Sequence, residues 1–157
     1  MKHHKFGNTS AERLKTCHPD LIKIMTLALE FSPVDFSITC GHRTVKDQQR
    51  LYKQGRTTKG SIVTNVDGIK KLSDHNAFPS RVVDFHAYVP TNKKMTFDHR
   101  TLSVIAGCVF SAARVLMSSG AINPKSFIRW GGDWDRDGVI VVDQNLIDLP
   151  HIGVHIK

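Results

Sequence analysis

Residues 81–88, RVVDFHAY, constrain the fold more than any other stretch of the chain. Polar and apolar side chains alternate at period two, so the segment reads as a strand. Val83, Phe85 and Ala87 share one face, and Val82, Asp84 and His86 share the other. A carboxylate set among valines costs on the order of several kcal/mol to bury unless its charge is compensated. Asp84 therefore faces solvent, pairs with Arg43 or Arg81, or helps to hold a divalent cation.

The flanking segments are punctuated in a way that fits an α+β architecture. Thr9 with Glu12 reads as a capping box opening a short helix, and His18-Pro19-Asp20 starts a second one. Leu21, Ile24, Met25, Ala28 and Leu29 then form one apolar face at helical spacing. Residues 35–40 alternate as a short strand that Gly41 ends, and Thr44 with Asp47 opens a third helix that stops at Gly55. Asp98 is placed to cap a long helix through Ser119, with Ile105, Val109, Ala112 and Leu116 inward and Gly120 as its terminator. Residues 128–130 and 151–156 read as further short strands. Residues 55–79 show no sustained period and read as a long loop, the kind of segment that usually carries function in a compact domain. The expected architecture is one α+β domain over residues 1–157, a small antiparallel sheet flanked by helices, with its functional core at about residues 16–156.

A chain of 157 residues can bury a core without covalent staples. Cys17, Cys40 and Cys108 are odd in number and show no C-x-x-C spacing, so free thiols and a reducing compartment of synthesis are expected. The basic N-terminus is not followed by an apolar stretch with a cleavage site, and uninterrupted apolar runs such as 104–110 are far shorter than a membrane span. Synthesis in the cytoplasm without a membrane span is the resulting expectation, with a monomer as the simplest state. The formal charge of +8 favours polyanions, but the basic residues are scattered apart from the doublets Lys70-Lys71 and Lys93-Lys94. Nucleic acid is not the expected partner.

Among the nine histidines, two stand out by context. His75 lies in S-D-H-N, nine residues before Asp84, and His151 lies in D-L-P-H at the start of the last strand. Histidine nitrogens and a carboxylate on rigid strands, with one position left open, are how catalytic zinc sites are built.

The stretches TCHPDLIKIM, DFSITCGHRTVKDQQRLYKQGRTTKGSIVT, LSDHNAFPSRVVDF, RWGGDW and DLPH, in this order, resemble the L-alanyl-D-glutamate peptidases. These include phage endolysins and belong to the wider zinc family of D-alanyl-D-alanine carboxypeptidases. The resemblance implies one zinc held by His75, Asp84 and His151, with Asp148 as general base and Arg43 acting on charge in the substrate or the reaction intermediate. It also implies that Arg43 and Gln48 anchor substrate and that Ser73 supports the loop and the substrate site. Its substrate would be the peptidoglycan stem peptide, cut at the L-Ala–D-Glu bond. A phage lysin without a signal would reach the wall after a separate partner opens the membrane. Two departures from the commonest pattern are visible: eight residues separate His75 from Asp84 where six are usual, and residues 135–146 look like an insertion.

Two competing readings are a D-alanyl-D-alanine carboxypeptidase on the same fold and a basic, zinc-stabilised module that binds wall or nucleic acid without catalysis. Asp148 argues against the module, because a closed structural zinc site takes four protein ligands and leaves no spare carboxylate. Asp133, Asp135 and Asp137, followed by Gly138, resemble the start of a calcium loop. Gln144 stands where the bidentate glutamate belongs, so a bare acidic turn is the preferred reading over Ca2+. Trp130 and Trp134 are each candidates for groove or core. His86 and His155 lie two and four residues beyond proposed ligands and are candidates for supporting roles.

Overall fold

The computed structural model describes residues 4–89, 94–143 and 146–156. In chain order the elements are α1 (Asn8–Leu14), α2 (Pro19–Phe31), β1 (Phe36–Cys40), α3 (Val45–Lys53), β2 (Val82–Val89), β3 (Lys94–Thr96), α4 (His99–Ser118), β4 (Ser126–Gly131) and β5 (Asp148–Ile156). A single 3-10 turn at Asp74–Asn76 interrupts the long loop between α3 and β2. All described strand pairings are antiparallel, in the order β1-β2-β5-β4, with β3 paired to β2. β3 is the one strand that the sequence pattern does not announce.

Local chemistry accounts for the helix ends. The Thr44 hydroxyl accepts from the Asp47 amide at 3.1 Å, and an Asp98 carboxylate oxygen accepts from the Thr101 amide at 2.9 Å. His18 Nδ1 caps α2 by accepting from Asp20 N, with Pro19 pre-set for the first turn. The expected capping box at Thr9 does not form. α1 starts two residues earlier, with Gly7 at its cap and no side-chain cap bond, and Glu12 pairs with Lys15 instead. Ser10 is turned inward, where its hydroxyl accepts from Ile38 N and ties α1 to β1.

One face of the sheet is packed by α2 and α4, which also pack on each other. Leu21, Ile24, Met25 and Leu29 from α2 meet Leu102, Ile105 and Val109 from α4 over Phe36, Ile38, Val83 and Phe85. α4 is long and apolar enough by length and composition to cross a membrane, yet it lays one side into this core. Cys17 lies just after α1 in an isolated bridge to Ser80, and all three cysteines are free thiols as expected.

The opposite face of the sheet carries Asp84, His86, Arg129, His151 and His155. In a regular strand, residues three apart point to opposite faces. β5 breaks that rule at its start. The β4–β5 register shifts between Trp130 and Gly131, so that Trp130 faces Ile152 while Gly131 faces Asp148. Leu149 and Ile152 both enter the core as a result, and Asp148 and His151 both line the same cleft. Gly131 makes this possible, because a Cβ there would overlap the Asp148 carbonyl. We expect Gly131→Ala to lose about 3 kcal/mol of stability by forcing the two strands apart. A urea midpoint within error of the parent protein would refute this account of the close approach.

Candidate active site

Asp84 lies at the centre of the polar face, opposite Cys40 on β1 and opposite His151 on β5. His75 arrives from the loop. Its 3-10 turn is capped by Ser73, whose backbone N donates to Asn76 Oδ1 at 2.9 Å. The turn is stitched to the Gly41–Arg43 bend by two bonds, Arg43 N to His75 O and Asn76 Nδ2 to Arg43 O, each 2.8 Å. The bend is held from behind by the end of α1, where Thr16 Oγ1 accepts from His42 N at 2.9 Å.

His75 Nδ1 lies 2.7 Å from the Gly41 carbonyl oxygen. A carbonyl only accepts, so Nδ1 carries the hydrogen and Nε2 of the neutral ring presents a lone pair. That Nε2 is 3.1 Å from Asp84 Oδ1 and 3.2 Å from His151 Nδ1, and the last two atoms are 3.2 Å apart. A tetrahedral zinc ion, with bonds of about 2.0–2.1 Å, sets donor–donor edges of about 3.3–3.4 Å. The triangle therefore has the dimensions of an ion's coordination face. Cys40 Sγ also lies within 4.8 Å of the His75 and Asp84 donor atoms. It accepts from Arg43 Nη2 at 3.3 Å, so His151 closes the tighter set.

The electrostatics follow from this crowding. Burial disfavours the imidazolium of His75, but its bonds to Asp84 and Cys40 outweigh burial and raise it to about 10 in the ion-free protein. Burial likewise opposes ionisation of Asp84, yet His151 and His75 hold its carboxyl well below the usual carboxylate range. Asp148 goes the other way. Burial and the nearby Asp84 charge push its carboxyl above the ordinary value, only partly countered by His151, His75 and Arg43.

Arg43 Nη2 donates to Asp84 Oδ2 at 3.2 Å and Nη1 donates to Gln48 Oε1 at 2.9 Å. The pairing of Asp84 with Arg43 and its place beside the two histidines thus coexist, where the sequence presents them as alternatives. Gln48 is 0% exposed. Its amide nitrogen donates to Thr64 Oγ1 at 3.1 Å and Val66 O at 2.8 Å, latching the long loop to α3.

These groups open into a cleft of about 630 Å³ whose lining includes Ser73, Lys71, Leu72, Phe97, Leu146 and Asp148. The two tryptophans divide between core and cleft. Trp130 is buried with Nε1 donating to Leu149 O, whereas the ring of Trp134 lies against His151 with centroids 5.3 Å apart. Arg129 lies over the Trp134 ring at 4.9 Å and also lines the cleft. Sequence reasoning did not single out Arg129, although alternation along RWGG places it opposite the inward Ile128 and Trp130. His86 packs edge-on against Phe97, and His155 stacks on Phe127. The Nε2 atoms of both are buried and make no hydrogen bond among the described residues.

The carboxylates of Asp133, Asp135 and Asp137 come within 4.8 Å of one another. Turn amides account for part of that grouping: Gly138 N donates to Asp133 and Val139 N to Asp137. Gln144, the position weighed for a calcium ligand, lies outside the described residues, as does Lys93 of the second basic doublet.

Residues 2–155 match the family model of the phage L-alanyl-D-glutamate peptidases. The chain belongs to that family. It is 27% identical over 134 residues to the L-alanyl-D-glutamate peptidase of Escherichia phage T5, covering 85% of this chain and 84% of the relative. A shorter stretch of 35 residues is 57% identical to the peptidoglycan L-alanyl-D-glutamate endopeptidase CwlK of Bacillus subtilis, covering 22% and 21% of the two chains. The crystal structure of the Serratia marcescens L-Ala D-Glu endopeptidase ChiX superposes with a TM-score of 0.67 at 26% identity, over 98% of this chain and 92% of that one. The α+β fold expected from sequence is the fold of this relative.

The buried amide of Gln48 supports the site through the loop, so its removal has a structural signature. We expect Gln48→Ala to cost about 2–4 kcal/mol, because Arg43, Thr64 and Val66 lose buried partners. Limited proteolysis should then cut within residues 55–72 at protease levels that leave the parent intact. Equal resistance of the two proteins would contradict the latch.

Proposed function

We propose that this chain is a zinc-dependent endopeptidase that hydrolyses the L-Ala–D-Glu bond of the peptidoglycan stem, acting as one catalytic unit of the phage endolysin type. The observation that carries the metal is the triangle of His75 Nε2, Asp84 Oδ1 and His151 Nδ1. Three acceptor atoms at 3.1–3.2 Å need a shared positive centre, and the Gly41 carbonyl directs the His75 lone pair into it. The bond cleaved follows the family, whose activity is named for that linkage.

Within this reading each side chain has a defined duty. His75, Asp84 and His151 would hold the ion, which when bound supplies an acidified water and polarises the scissile carbonyl. Asp148, its carboxyl held above the ordinary value by burial and the Asp84 charge, accepts a proton from the attacking water and returns it to the departing glutamyl nitrogen. Arg43 holds Asp84 through Oδ2, leaving Oδ1 directed at the histidines, and its charge stabilises the anionic transition state at short range. Gln48 fixes that guanidinium through Nη1, so its contribution to substrate is indirect. Ser73 caps the turn that presents His75.

Elemental analysis should find one zinc per chain. A chelator should abolish activity with the fold retained, and added zinc should restore activity. Asp148→Asn should keep zinc and fold while losing about 100- to 10,000-fold in turnover. Loss of metal from that variant would make Asp148 a ligand and overturn the division of roles. Digestion of purified wall should expose new D-glutamate amino termini, whereas release of free D-alanine alone would assign the carboxypeptidase reaction instead.

A further inference from the structure

A glutamyl residue in a chain has two carboxyl groups, and the chain consumes only one. Hydrolysis on the amino side of glutamate therefore brings a free carboxylate into the cleft on the leaving-group side. Desolvating it requires a fixed cation. Arg43 is poorly placed for this duty, because its guanidinium already serves Asp84, Cys40 and Gln48. Lys71 lines the cleft from the exposed loop.

Arg129 is held differently. Its Nε donates to Trp134 O at 3.5 Å, and its guanidinium carbon lies 4.9 Å above the indole of Trp134. That indole is itself fixed, with Nε1 donating to Leu146 O at 2.8 Å and its ring set 5.3 Å from the ring of His151. The guanidinium thus stands one indole away from the candidate ligand, oriented by a stack and a carbonyl. Its charged contact is with Asp74, where Nη1 and Oδ2 are 3.9 Å apart, at the outer edge of an ion pair. Both side chains are well exposed, at 42% and 47%. Such a pair contributes little to stability, which leaves the fork of donors ready for a better-placed carboxylate.

We propose that Arg129 receives the free carboxylate of the glutamyl residue, with Asp74 as the intramolecular group it exchanges for substrate. This makes Arg129 a specificity-determining residue that discriminates a glutamyl from a glutaminyl stem. The inference rests on the peptidase reading above.

The test uses two synthetic stem peptides that differ only in whether that side group is a carboxylate or a carboxamide. The zinc-loaded full chain should prefer the acid by about 10- to 100-fold in kcat/KM, the range for a hydrogen-bonded charge. Arg129→Gln should bring the acid-to-amide ratio down to about one, chiefly by raising KM for the acid, and Arg129→Lys should recover part of it. Asp74→Asn should move the other way, lowering KM for the acid a few-fold, so the idea stays testable if Arg129→Gln folds poorly. A parent protein that cuts both peptides equally, an acid-to-amide ratio unchanged in Arg129→Gln, or an Asp74→Asn variant with raised KM would each overturn the assignment of Arg129 and leave the peptidase reading standing. Failure to cut either peptide would remove that reading, and this inference with it.

Discussion

Three polar atoms gathered within 3.2 Å of one another organise the polar half of this molecule. Two imidazole nitrogens and a carboxylate oxygen cannot approach to 3.1–3.2 Å unless a cation or a proton sits among them. The surrounding structure resists their separation. Asp84 and His151 are fixed by strand pairing, while His75 is fixed by the Gly41 carbonyl and by the bonds between its turn and the Arg43 bend. Behind that bend stands Thr16 at the end of α1, so an element far from the cleft helps to set the position of His75.

The sheet separates two solvents. Its helix-covered face is a continuous apolar core, and its other face concentrates histidines and a half-buried carboxylate under a partial roof of loop. Such a roof cannot rely on hydrophobic burial, since Ile62, Val63, Ile69 and Leu72 are exposed. Its order comes from polar bonds at a few places, with Gln48 the most buried of them.

Much of this was legible in the sequence because strand alternation and helix caps are local. Alternation in RVVDFHAY separated the core residues Val83, Phe85 and Ala87 from Asp84, and the caps at Thr44 and Asp98 needed only neighbouring residues. The family motifs brought His75, Asp84, His151 and Asp148 under consideration together, and the structure places them around one cleft. What was not legible depended on pairing between distant segments. The parity change at the start of β5 arises from how Gly131 meets Asp148, and the retention of Arg43 by Asp84 and Gln48 depends on where α3 lies relative to β2. β3 is too short to show a period, and the capping box at Thr9 failed because Ser10 found a partner in β1.

The start of β5 also divides the labour between segments of the chain. Asp148 and His151 share a strand whose paired part is enclosed between β2 and β4, whereas Trp134 and Leu146 belong to the excursion that joins β4 to β5. The pair Asp148 and His151 and the wall that shapes the cleft therefore lie on separate segments of the chain. Insertions and substitutions in the excursion can reshape the cleft while leaving the spacing of Asp148 and His151 untouched. The wall of the cleft is thereby free to vary without disturbing the strand that carries Asp148 and His151.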